Sequence, residues 1–481
     1  MHAIRPVALV LGILLTSLGA VMLVPALYDL AMGNRNWEGF AISAGATLFI
    51  GIGMTIATWG PSTTFSVQQA FVMTSGAWVV LALFAALPLT IIDTNLSFTD
   101  AFFETMSGLT TPGSTVLVGL DTMSRGILLW RGLLQWMGGI GIIVMAIAIL
   151  PLLQVGGMQL FRVEAFDARD KAHPRAAQIS ASLSLIYIGL TVLGAIAYRL
   201  AGLSPFDAIV HSMTTIATGG FSNYDASLGY FDSTAVESVA IVFMIAGSLP
   251  FLLYVRAFQG RLRDLFIDSQ VRWFFAAVAI FSLLAMASQL QGQYGVEHGL
   301  REALFNVVSL MTGTGYATVD YDNWGPFAVV LLFFVTFVGG CAGSTSCGIK
   351  IFRFEILFKH MRIQLERLSY PHGVFTPRYG GRRIPERVTR SVMAFFLLFF
   401  ASFGVLAGVL SLTGLDNVTA FSAAASALAN VGPGLGEVVG PAGNYSTLPD
   451  TAKWALAAGM LVGRLELFTV LVLFVPAFWR G

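Results

Sequence analysis

The chain has 481 residues, of which 56% are hydrophobic and only 11% are charged, and its formal net charge is +1. Ordinary soluble domains carry about 25% charged residues, so this composition excludes a soluble globular protein. The two cysteines, Cys341 and Cys347, are too few for a disulfide framework, and no cluster of His and Cys has the spacing of metal ligands. We therefore predict an all-α polytopic membrane protein.

Apolar runs long enough to cross a bilayer, which takes roughly 20 residues, occur along the whole chain. They include residues 7–27, 40–59, 71–92, 127–150, 236–255, 392–412 and 454–478. The first run lacks a small-residue cleavage site and is followed by further spans, so we interpret it as an anchor and not as a removable signal.

Basic residues concentrate in three connections, 162–175, 256–272 and 350–390, and the amino terminus adds His2 and Arg5. The positive-inside rule assigns these segments to the cytoplasm. The alternate connections are acidic and carry Asp93, Asp100, Asp121, Asp207, Asp225, Asp232, Glu297, Glu302, Asp320, Asp322, Asp416, Glu437 and Asp450. Positive-inside sorting alone leaves acids on the outer face. Alternatively, the acids raise the local concentration of cations at an entrance.

The four acidic connections share a repeated sequence. The copies read DAFFETMSGLTTPG from Asp100, DAIVHSMTTIATGG from Asp207, EALFNVVSLMTGTG from Glu302 and TAFSAAASALANVG from Thr419. Each copy predicts a half-helix of about three turns and then a polar, glycine-containing loop. All four place glycine at the same offset, at Gly113, Gly220, Gly315 and Gly432. We predict two N-terminal spans in 1–66 and repeats in 67–155, 176–260, 268–362 and 386–481, the third with a broken second span.

The four repeats are expected to surround one central pore. Backbone groups at membrane depth must be satisfied within the protein or must line water, so an extended glycine-rich loop there faces a cavity. A ring of carbonyl oxygens replaces the hydration shell of a monovalent cation, and half-helices aim their partly negative C-terminal ends at it. Glycine suits such a loop because the chain visits positive φ, where side chains clash.

Three alternative interpretations compete with the pore. A single glycine pair in an apolar chain is typical of close helix packing. A secondary cation symporter, coupled to K⁺ or Na⁺, also uses broken half-helices at the membrane midplane. Such symporters usually show a twofold inverted repeat, whereas this repeat is fourfold and runs in one direction. An enzyme is the third class, but no nucleophile–base pair is evident, and we expect no catalytic activity.

Further motifs extend the pattern over nearly the whole chain. They are WRGLLQWMGGIGIIVMAIAILP from Trp130, GGMQLFR from Gly156, GGFSNYDASLGYFDS from Gly219, GGCAGSTSCGIK from Gly339, NVGPGLG from Asn430 and GRLELFTVLVLF from Gly463. Together with the four loops, these motifs resemble the Trk/Ktr/HKT superfamily of potassium translocators, and most closely its TrkH-type subunits. The two extra N-terminal spans also resemble the TrkH branch. The resemblance implies a K⁺-selective translocating subunit, with K⁺ as its bound, transported ion.

In that superfamily the shared glycines mark a selectivity filter. The resemblance maps the filter to four tetrads, which are Thr110, Thr111, Pro112 and Gly113; Ala217, Thr218, Gly219 and Gly220; Thr312, Gly313, Thr314 and Gly315; and Ala429, Asn430, Val431 and Gly432. Serine at the first of the four glycine positions goes with sodium permeation in some plant relatives, so four glycines favour K⁺. The first tetrad departs from the usual Thr-Thr-Thr-Gly at Pro112. Because proline has a fixed φ and no N–H, we expect it to affect the exact geometry of the first quarter of the filter but not the existence of that quarter.

The resemblance also implies an intramembrane gate below the filter. It consists of Gly339, Gly340, Cys341, Ala342, Gly343, Ser344, Thr345, Ser346, Cys347, Gly348 and Lys350. Glycine disfavours helix, but tight packing against neighbouring spans would explain the same composition. Arg464, in the last apolar run, is expected to project into the pore beside this loop and restrain ion passage. The alternative is a structural ion pair of Arg464 with Glu466 or another acid. The residues of the chain assign no role to Arg131.

The resemblance implies partners as well. TrkH-type subunits work with a TrkA-like cytosolic ring that binds nucleotides, for which the basic connection 350–390 is the natural docking surface. Relatives assemble as homodimers in which each chain holds its own pore. We expect a bacterial inner (plasma) membrane location in the lipid bilayer with a cytoplasmic N-terminus, no nucleic acid partner and no organic cofactor on this chain.

Overall fold

The computed structural model describes residues 5–60, 66–92, 96–148, 172–289 and 296–480. His2, Asp93, most of the basic connection 162–175 and the GGMQLFR motif lie outside these residues. Within them, seven helices are long and apolar enough to cross a membrane, or nine if each of two bent helix pairs is one span. The prediction of a helical multi-pass membrane protein is confirmed.

The helices follow one another in a regular order. They are α1 (Arg5–Ala31), α2 (Asn36–Thr58), α3 (Val67–Ala85), α4 (Leu87–Ile91), α5 (Phe98–Thr110), α6 (Arg125–Ala148), α7 (Ala172–Leu200), α8 (Pro205–Ile216), α9 (Thr234–Ser248), α10 (Phe251–Phe258), α11 (Arg263–Ile267), α12 (Ser269–Gln289), α13 (Val296–Thr312), α14 (Pro326–Val335), α15 (Ile351–Ser369), α16 (Glu386–Leu412), α17 (Asn417–Ala429), α18 (Gly436–Val439), α19 (Asp450–Arg464) and α20 (Phe468–Leu471).

The described residues also contain four strands of two residues each. Strand β1 (Val338–Gly339) pairs in parallel with β2 (Ile349–Lys350), which closes the glycine-rich loop between them at its base. Strand β3 (Arg378–Tyr379) pairs antiparallel with β4 (Arg382–Arg383). The hairpin turn between β3 and β4 is Gly380-Gly381, and both glycines have positive φ.

The two N-terminal helices form a close pair at small residues. A β carbon added to Gly12 or Gly51 would lie within 3.0 Å of the facing helix, so glycine is what allows the two backbones to approach. At the end of α1, the buried Asp29 accepts a hydrogen bond of 2.9 Å from the backbone N–H of Gly126. This bond attaches the extra pair to the start of α6.

After this pair, the described part of the chain follows the same order four times, and each of these four units contains a long helix, a half-helix, an extended segment and a second helix. The long helices are α3, α7, α12 and α16, and the half-helices are α5, α8, α13 and α17. Ser97, Ser204 and Asp416 cap three of the half-helices, each accepting the backbone N–H three residues on. Such caps satisfy donors that a helix start leaves open, so each half-helix has a defined beginning.

Breaks in the second spans are more widespread than predicted. The third unit is interrupted between α14 and α15, as expected. However, α9 and α10 meet at 92°, and α19 and the segment after it meet at 108°. The apolar runs 236–255 and 454–478 therefore each contain a bend. Pro250, which has no N–H, explains the first bend, and positive φ at Glu466 and Leu467 accompanies the second.

Candidate ion pathway

The four tetrads share one backbone conformation. The second residue of each has positive φ: 61° at Thr111, 50° at Thr218, 73° at Gly313 and 51° at Asn430. The fourth does too: 88° at Gly113, 76° at Gly220, 79° at Gly315 and 105° at Gly432. In an extended chain successive groups alternate between two sides, and reversing φ at every second residue turns successive carbonyls toward the same side.

The tetrads close into a ring in chain order. A β carbon on Gly113 would collide with the carbonyl oxygen of Gly219, and one on Gly220 with that of Thr314. A β carbon on Gly315 would collide with the carbonyl of Val431, and one on Gly432 with that of Pro112. Each glycine thus contacts the third carbonyl of a neighbouring tetrad, and the fourth tetrad returns to the first. These positions require glycine for two reasons: the backbone has positive φ, and a β carbon would collide with the neighbouring carbonyl.

Most carbonyls of this ring take part in no hydrogen bond within the described part of the chain. These are the oxygens of Thr111, Pro112, Gly113, Thr218, Gly220, Gly313, Thr314, Gly315, Asn430 and Val431. Three others are bound: Ala217 accepts from the hydroxyl of Thr218, Gly219 accepts from Gln135 Nε2 at 2.6 Å, and Gly432 accepts from Ser114, Ser426 and the hydroxyl of Tyr445. Buried carbonyls are nearly always paired, so the unpaired set is a candidate site for an ion or for water.

Bonds between neighbouring loops hold the ring together on its acidic side. The carboxylate of Asp225 accepts the N–H groups of Gly119 and Leu120, and that of Asp322 accepts the N–H of Gly436 at 2.6 Å. The remaining two junctions use Gly229 N–H to Ala317 and Tyr445 N–H to Thr115, each donating to a backbone carbonyl. Burial raises the pKa of Asp322, although the bond from Gly436 opposes this shift.

A buried ion pair braces the first two loops from behind. Arg131 on α6 pairs with Glu104 on α5 at 2.8 Å, and both side chains are at most 2% exposed. Arg131 also donates to the carbonyl of Ser222 at 2.7 Å. Glu104 accepts from the Thr115 hydroxyl and from the N–H of Val116. The pair therefore ties the segment after the first tetrad to the segment after the second.

The sequence alone assigns no role to Arg131, and it does not predict Glu104, Gln135 or Tyr445 as site residues. The sequence does contain a signal for Arg131 and Glu104, because both are charged residues in apolar surroundings. Charged side chains are almost never buried unless they are paired. The chain does not show which acid pairs with Arg131, since Glu104 precedes it by 27 positions.

A cavity of about 180 Å³ lies on the acidic side of the ring. All four final glycines of the tetrads line it, together with Arg131, Asp225 and Tyr224. Burial raises the pKa of the Tyr224 hydroxyl, and the nearby Asp207 carboxylate adds to this. Within the described residues no group of three His, Cys, Asp or Glu side chains could hold a metal ion, so carbonyl oxygens are the candidate ligands of this pathway.

The glycine-rich loop between β1 and β2 lies against the opposite side of the ring. The Cys347 sulfur is 3.8 Å from the hydroxyl of Thr111. A β carbon on Gly313 would lie 3.3 Å from the backbone nitrogen of Cys347. Both partners are second residues of their tetrads, so the loop covers the ring at the end where the half-helices stop.

Arg464 connects this loop to the first repeat. Its guanidinium donates to the carbonyl of Thr345 at 3.3 Å, to the sulfur of Cys347 at 2.5 Å and to the carbonyl of Gly138 at 3.0 Å. The side chain is buried. Within the described ranges no acid lies within ion-pair distance of it. The alternative of an ion pair with Glu466 is therefore wrong, because Glu466 pairs with Arg353.

A small cavity of about 30 Å³ lies beside the loop. Lys350, Arg353, Arg464 and Glu466 line it together with the loop residues from Gly343 to Gly348. Lys350 donates to the carbonyl of Ser346 across the base of the loop. Cys341 and Cys347 are both buried and free, so they form no disulfide with each other.

Comparison with known proteins identifies the family to which this architecture belongs. A family model described as TrkH, cation transport protein, matches residues 39–480. The chain belongs to the TrkH family. It is 46% identical to the Trk system potassium uptake protein TrkI of Halomonas elongata over 476 residues, which are 99% of this chain and 97% of that protein.

Other TrkH proteins are similar over the same length. The chain is 39% identical over 488 residues to the Trk system potassium uptake protein TrkH of Escherichia coli K12, covering 99% of both. The crystal structure of the potassium transporter TrkH from Vibrio parahaemolyticus matches with a TM-score of 0.91 at 38% identity, again covering 99% of each chain. The resemblance drawn from the motifs is confirmed, and so is the helical TrkH fold.

Proposed function

We propose that this TrkH-family chain conducts K⁺ into the cell through the ring of the four tetrads, which acts as its selectivity filter. One observation carries the proposal: four loops with the same alternating backbone close into a ring whose carbonyl oxygens are largely free of hydrogen bonds. Such oxygens replace the water around a dehydrated monovalent cation. The similar proteins are named as potassium uptake proteins, which supports K⁺ as the ion.

The proposal includes a gate on the inner side of the filter, formed by residues 339–348 with Lys350 and Arg464. The contacts of Cys347 with Thr111 and Gly313 support an obstruction directly below the ring. Arg464 adds a fixed positive charge there, because a guanidinium stays protonated in proteins. In this closed arrangement a cation leaving the filter meets both the loop and the charge.

We further propose that a TrkA-like cytosolic, nucleotide-binding subunit controls this gate. The similar proteins belong to what their names call the Trk system. Helix α15 follows β2 directly, so force applied to α15 reaches the base of the loop through Lys350. The basic hairpin of β3 and β4 follows α15. A homodimer in the bacterial inner membrane, with the N-terminus in the cytoplasm, completes the proposal.

Ion flux into proteoliposomes tests the proposed function. Purified chain is reconstituted with K⁺, Rb⁺ or Na⁺ as the only permeant cation, and uptake is driven by an imposed membrane potential. We expect uptake of K⁺ and Rb⁺ well above that of Na⁺, without any coupling gradient. Uptake that requires a proton or sodium gradient would indicate a symporter instead, and equal uptake of the three cations would contradict the filter.

A further inference from the structure

The bend in the second repeat is shaped around the glycine-rich loop. A break in a helix leaves the last carbonyls of its first half and the first N–H groups of its second half without partners. Here α9 ends at Ser248 and α10 begins at Phe251, on either side of Leu249 and Pro250. Gly247, Ser248 and Phe251 are buried, so their backbone groups need partners from elsewhere in the protein.

The loop supplies partners for three of these groups. Gly343 accepts the N–H of Phe251 at 2.9 Å, and Thr345 donates its N–H to the carbonyl of Gly247 at 3.1 Å. The Thr345 hydroxyl donates to the same carbonyl at 2.8 Å. In addition, the N–H of Cys341 donates to the carbonyl of Ser248 at 3.0 Å.

The first two of these bonds replace one bond of a continuous helix. In an α-helix the N–H of residue i bonds to the carbonyl of residue i−4, so Phe251 would donate to Gly247. The loop separates this donor from this acceptor and gives each a new partner. A straight α9–α10 and a loop lying in the bend therefore exclude each other.

Pro250 and Tyr254 keep the bend open. In a straight helix the carbonyl of Ala246 would bond to residue 250, but proline has no N–H. The hydroxyl of Tyr254 donates to this carbonyl instead, at 2.7 Å. In a continuous helix the Ala246 carbonyl would have no N–H partner at residue 250, whereas in the bent form it accepts from Tyr254. The bent form is therefore favoured by two side chains that do not touch the ion pathway.

We infer that the glycine-rich loop binds in the α9–α10 bend of the second repeat when the gate is closed, and that Pro250 and Tyr254 are positioning residues for this bend. We call the bend the seat of the loop. When the loop leaves the pathway, Phe251 and Gly247 re-form their helical bond, so opening leaves neither group unpaired. Loop withdrawal and straightening of the second repeat are one coupled movement. The inference rests on the proposed gating function of residues 339–348.

Two substitutions test the seat, and both are measured as K⁺ flux into proteoliposomes without a partner subunit. Pro250→Ala restores the missing N–H and stabilises the straight helix, and Tyr254→Phe removes the bond to Ala246 in the bent form. Each is expected to raise K⁺ flux about fivefold, the shift that one hydrogen bond produces in a two-state equilibrium, with K⁺ selectivity over Na⁺ unchanged. Pro326→Ala, at the exposed first turn of α14, and Tyr370→Phe, at an exposed tyrosine, are the matched controls.

A second readout separates a displaced loop from a loosened fold. Cys341 is fully buried where the loop meets Ser248, so its alkylation rate reports whether the loop occupies the seat. Mass spectrometry distinguishes it from Cys347 in the native chain. We expect Cys341 labelling and flux to rise together in both variants, with thermal stability close to that of the parent.

The measurements distinguish failure of the proposed seat from failure of the proposed gate. If deletion of residues 342–346 raises flux while both variants keep parental flux and parental Cys341 labelling, the loop gates but the second repeat is not its seat. Faster labelling without faster flux likewise overturns the coupling. If Pro250→Ala fails to fold, Tyr254→Phe decides. If neither the parent nor the deletion variant conducts K⁺, the proposed function itself is wrong.

Discussion

Glu466 forms its ion pair with Arg353, on the helix that follows the glycine-rich loop, and not with Arg464 two residues before it. Both members of the pair are buried, and the Arg353 guanidinium also lies 3.7 Å from the centre of the Phe395 ring. The Glu466 carboxylate therefore pairs with a residue near the start of α15 and is not available to Arg464. Among the described residues, Arg464 is left to contact neutral groups: those of the loop and of α6, and the ring of Trp78 on α3 at 5.9 Å.

This arrangement predicts that Arg464→Ala opens the pathway without unfolding the protein. Two unit charges about 4 Å apart repel by roughly 4 kcal/mol at an effective dielectric constant near 20, and pore water reduces this value. We expect K⁺ flux to rise about tenfold, which corresponds to roughly 1.4 kcal/mol. Arg464→Lys should keep most of the barrier.

Thermal stability of the two Arg464 variants is the control, because no buried acid loses its partner in either. A large loss of stability in Arg464→Ala with no gain in flux would show that this arginine is structural. Arg353→Ala provides the contrast: it strands the Glu466 carboxylate, and breaking a buried pair costs about 3–5 kcal/mol.

Substitution of a filter glycine is expected to weaken discrimination between K⁺ and Na⁺. Gly113→Ser and Gly315→Ser each place a side chain against a carbonyl of the neighbouring tetrad, at positive φ. Growth of a potassium-uptake-deficient strain at low K⁺, with and without added Na⁺, measures the effect. Gly408→Ser is the matched control, since a β carbon there meets nothing within 4 Å. Parental growth and Na⁺ exclusion in both filter variants would refute the assignment.

Deletion of residues 342–346 should raise K⁺ flux and leave selectivity unchanged. The deleted segment lies below the ring and contributes no atom to the tetrads, but it carries Thr345, which Arg464 contacts. Flux of K⁺ and Na⁺ into proteoliposomes is the measurement, with size-exclusion chromatography to verify assembly. Parental flux from a well-assembled deletion variant would mean that this loop only packs.

The brace behind the filter predicts a stability effect of its own. Glu104→Gln leaves the Arg131 charge buried without its counter-ion, and the expected loss is about 3–5 kcal/mol. Thermal unfolding in detergent measures it, and K⁺/Na⁺ selectivity in the surviving fraction should fall because two filter loops lose their common support. The exposed pair of Arg390 and Glu386 is the control, for which Arg390→Ala should leave the melting temperature unchanged. An equal effect of both variants would contradict the brace.

Part of this architecture could be predicted from the sequence, because a glycine at a repeated position indicates a backbone with positive φ. The four final glycines share one register, and all four have positive φ. The second positions also have positive φ, but three of them are Thr111, Thr218 and Asn430, whose residue types do not require it. Thr111 and Asn430 are the left-handed residues at which α5 and α17 end. Helices commonly end on such a residue, but threonine is not one of the types that announce it in the sequence.

Of the two bends in the second spans, one has a signal in the local sequence and the other does not. Pro250 was a visible signal for a break in the second repeat, within an apolar run that composition alone describes as continuous. The break after Arg464 has no proline or glycine within it, and positive φ at Leu467 is held by tertiary contacts, including the Arg353–Glu466 pair. Long-range ion pairs of this kind cannot be identified from spacing along the chain.

The ring of four tetrads belongs to a single chain, and this has a consequence for how its selectivity evolves. In a channel of four identical subunits, one changed codon alters all four quarters at once. Here a changed codon alters one quarter and leaves three as they were. The chain already carries such one-quarter differences, with Pro112 in the first tetrad and Asn430 in the fourth. If the ring is the filter proposed above, its ion preference changes in single, separately selectable steps.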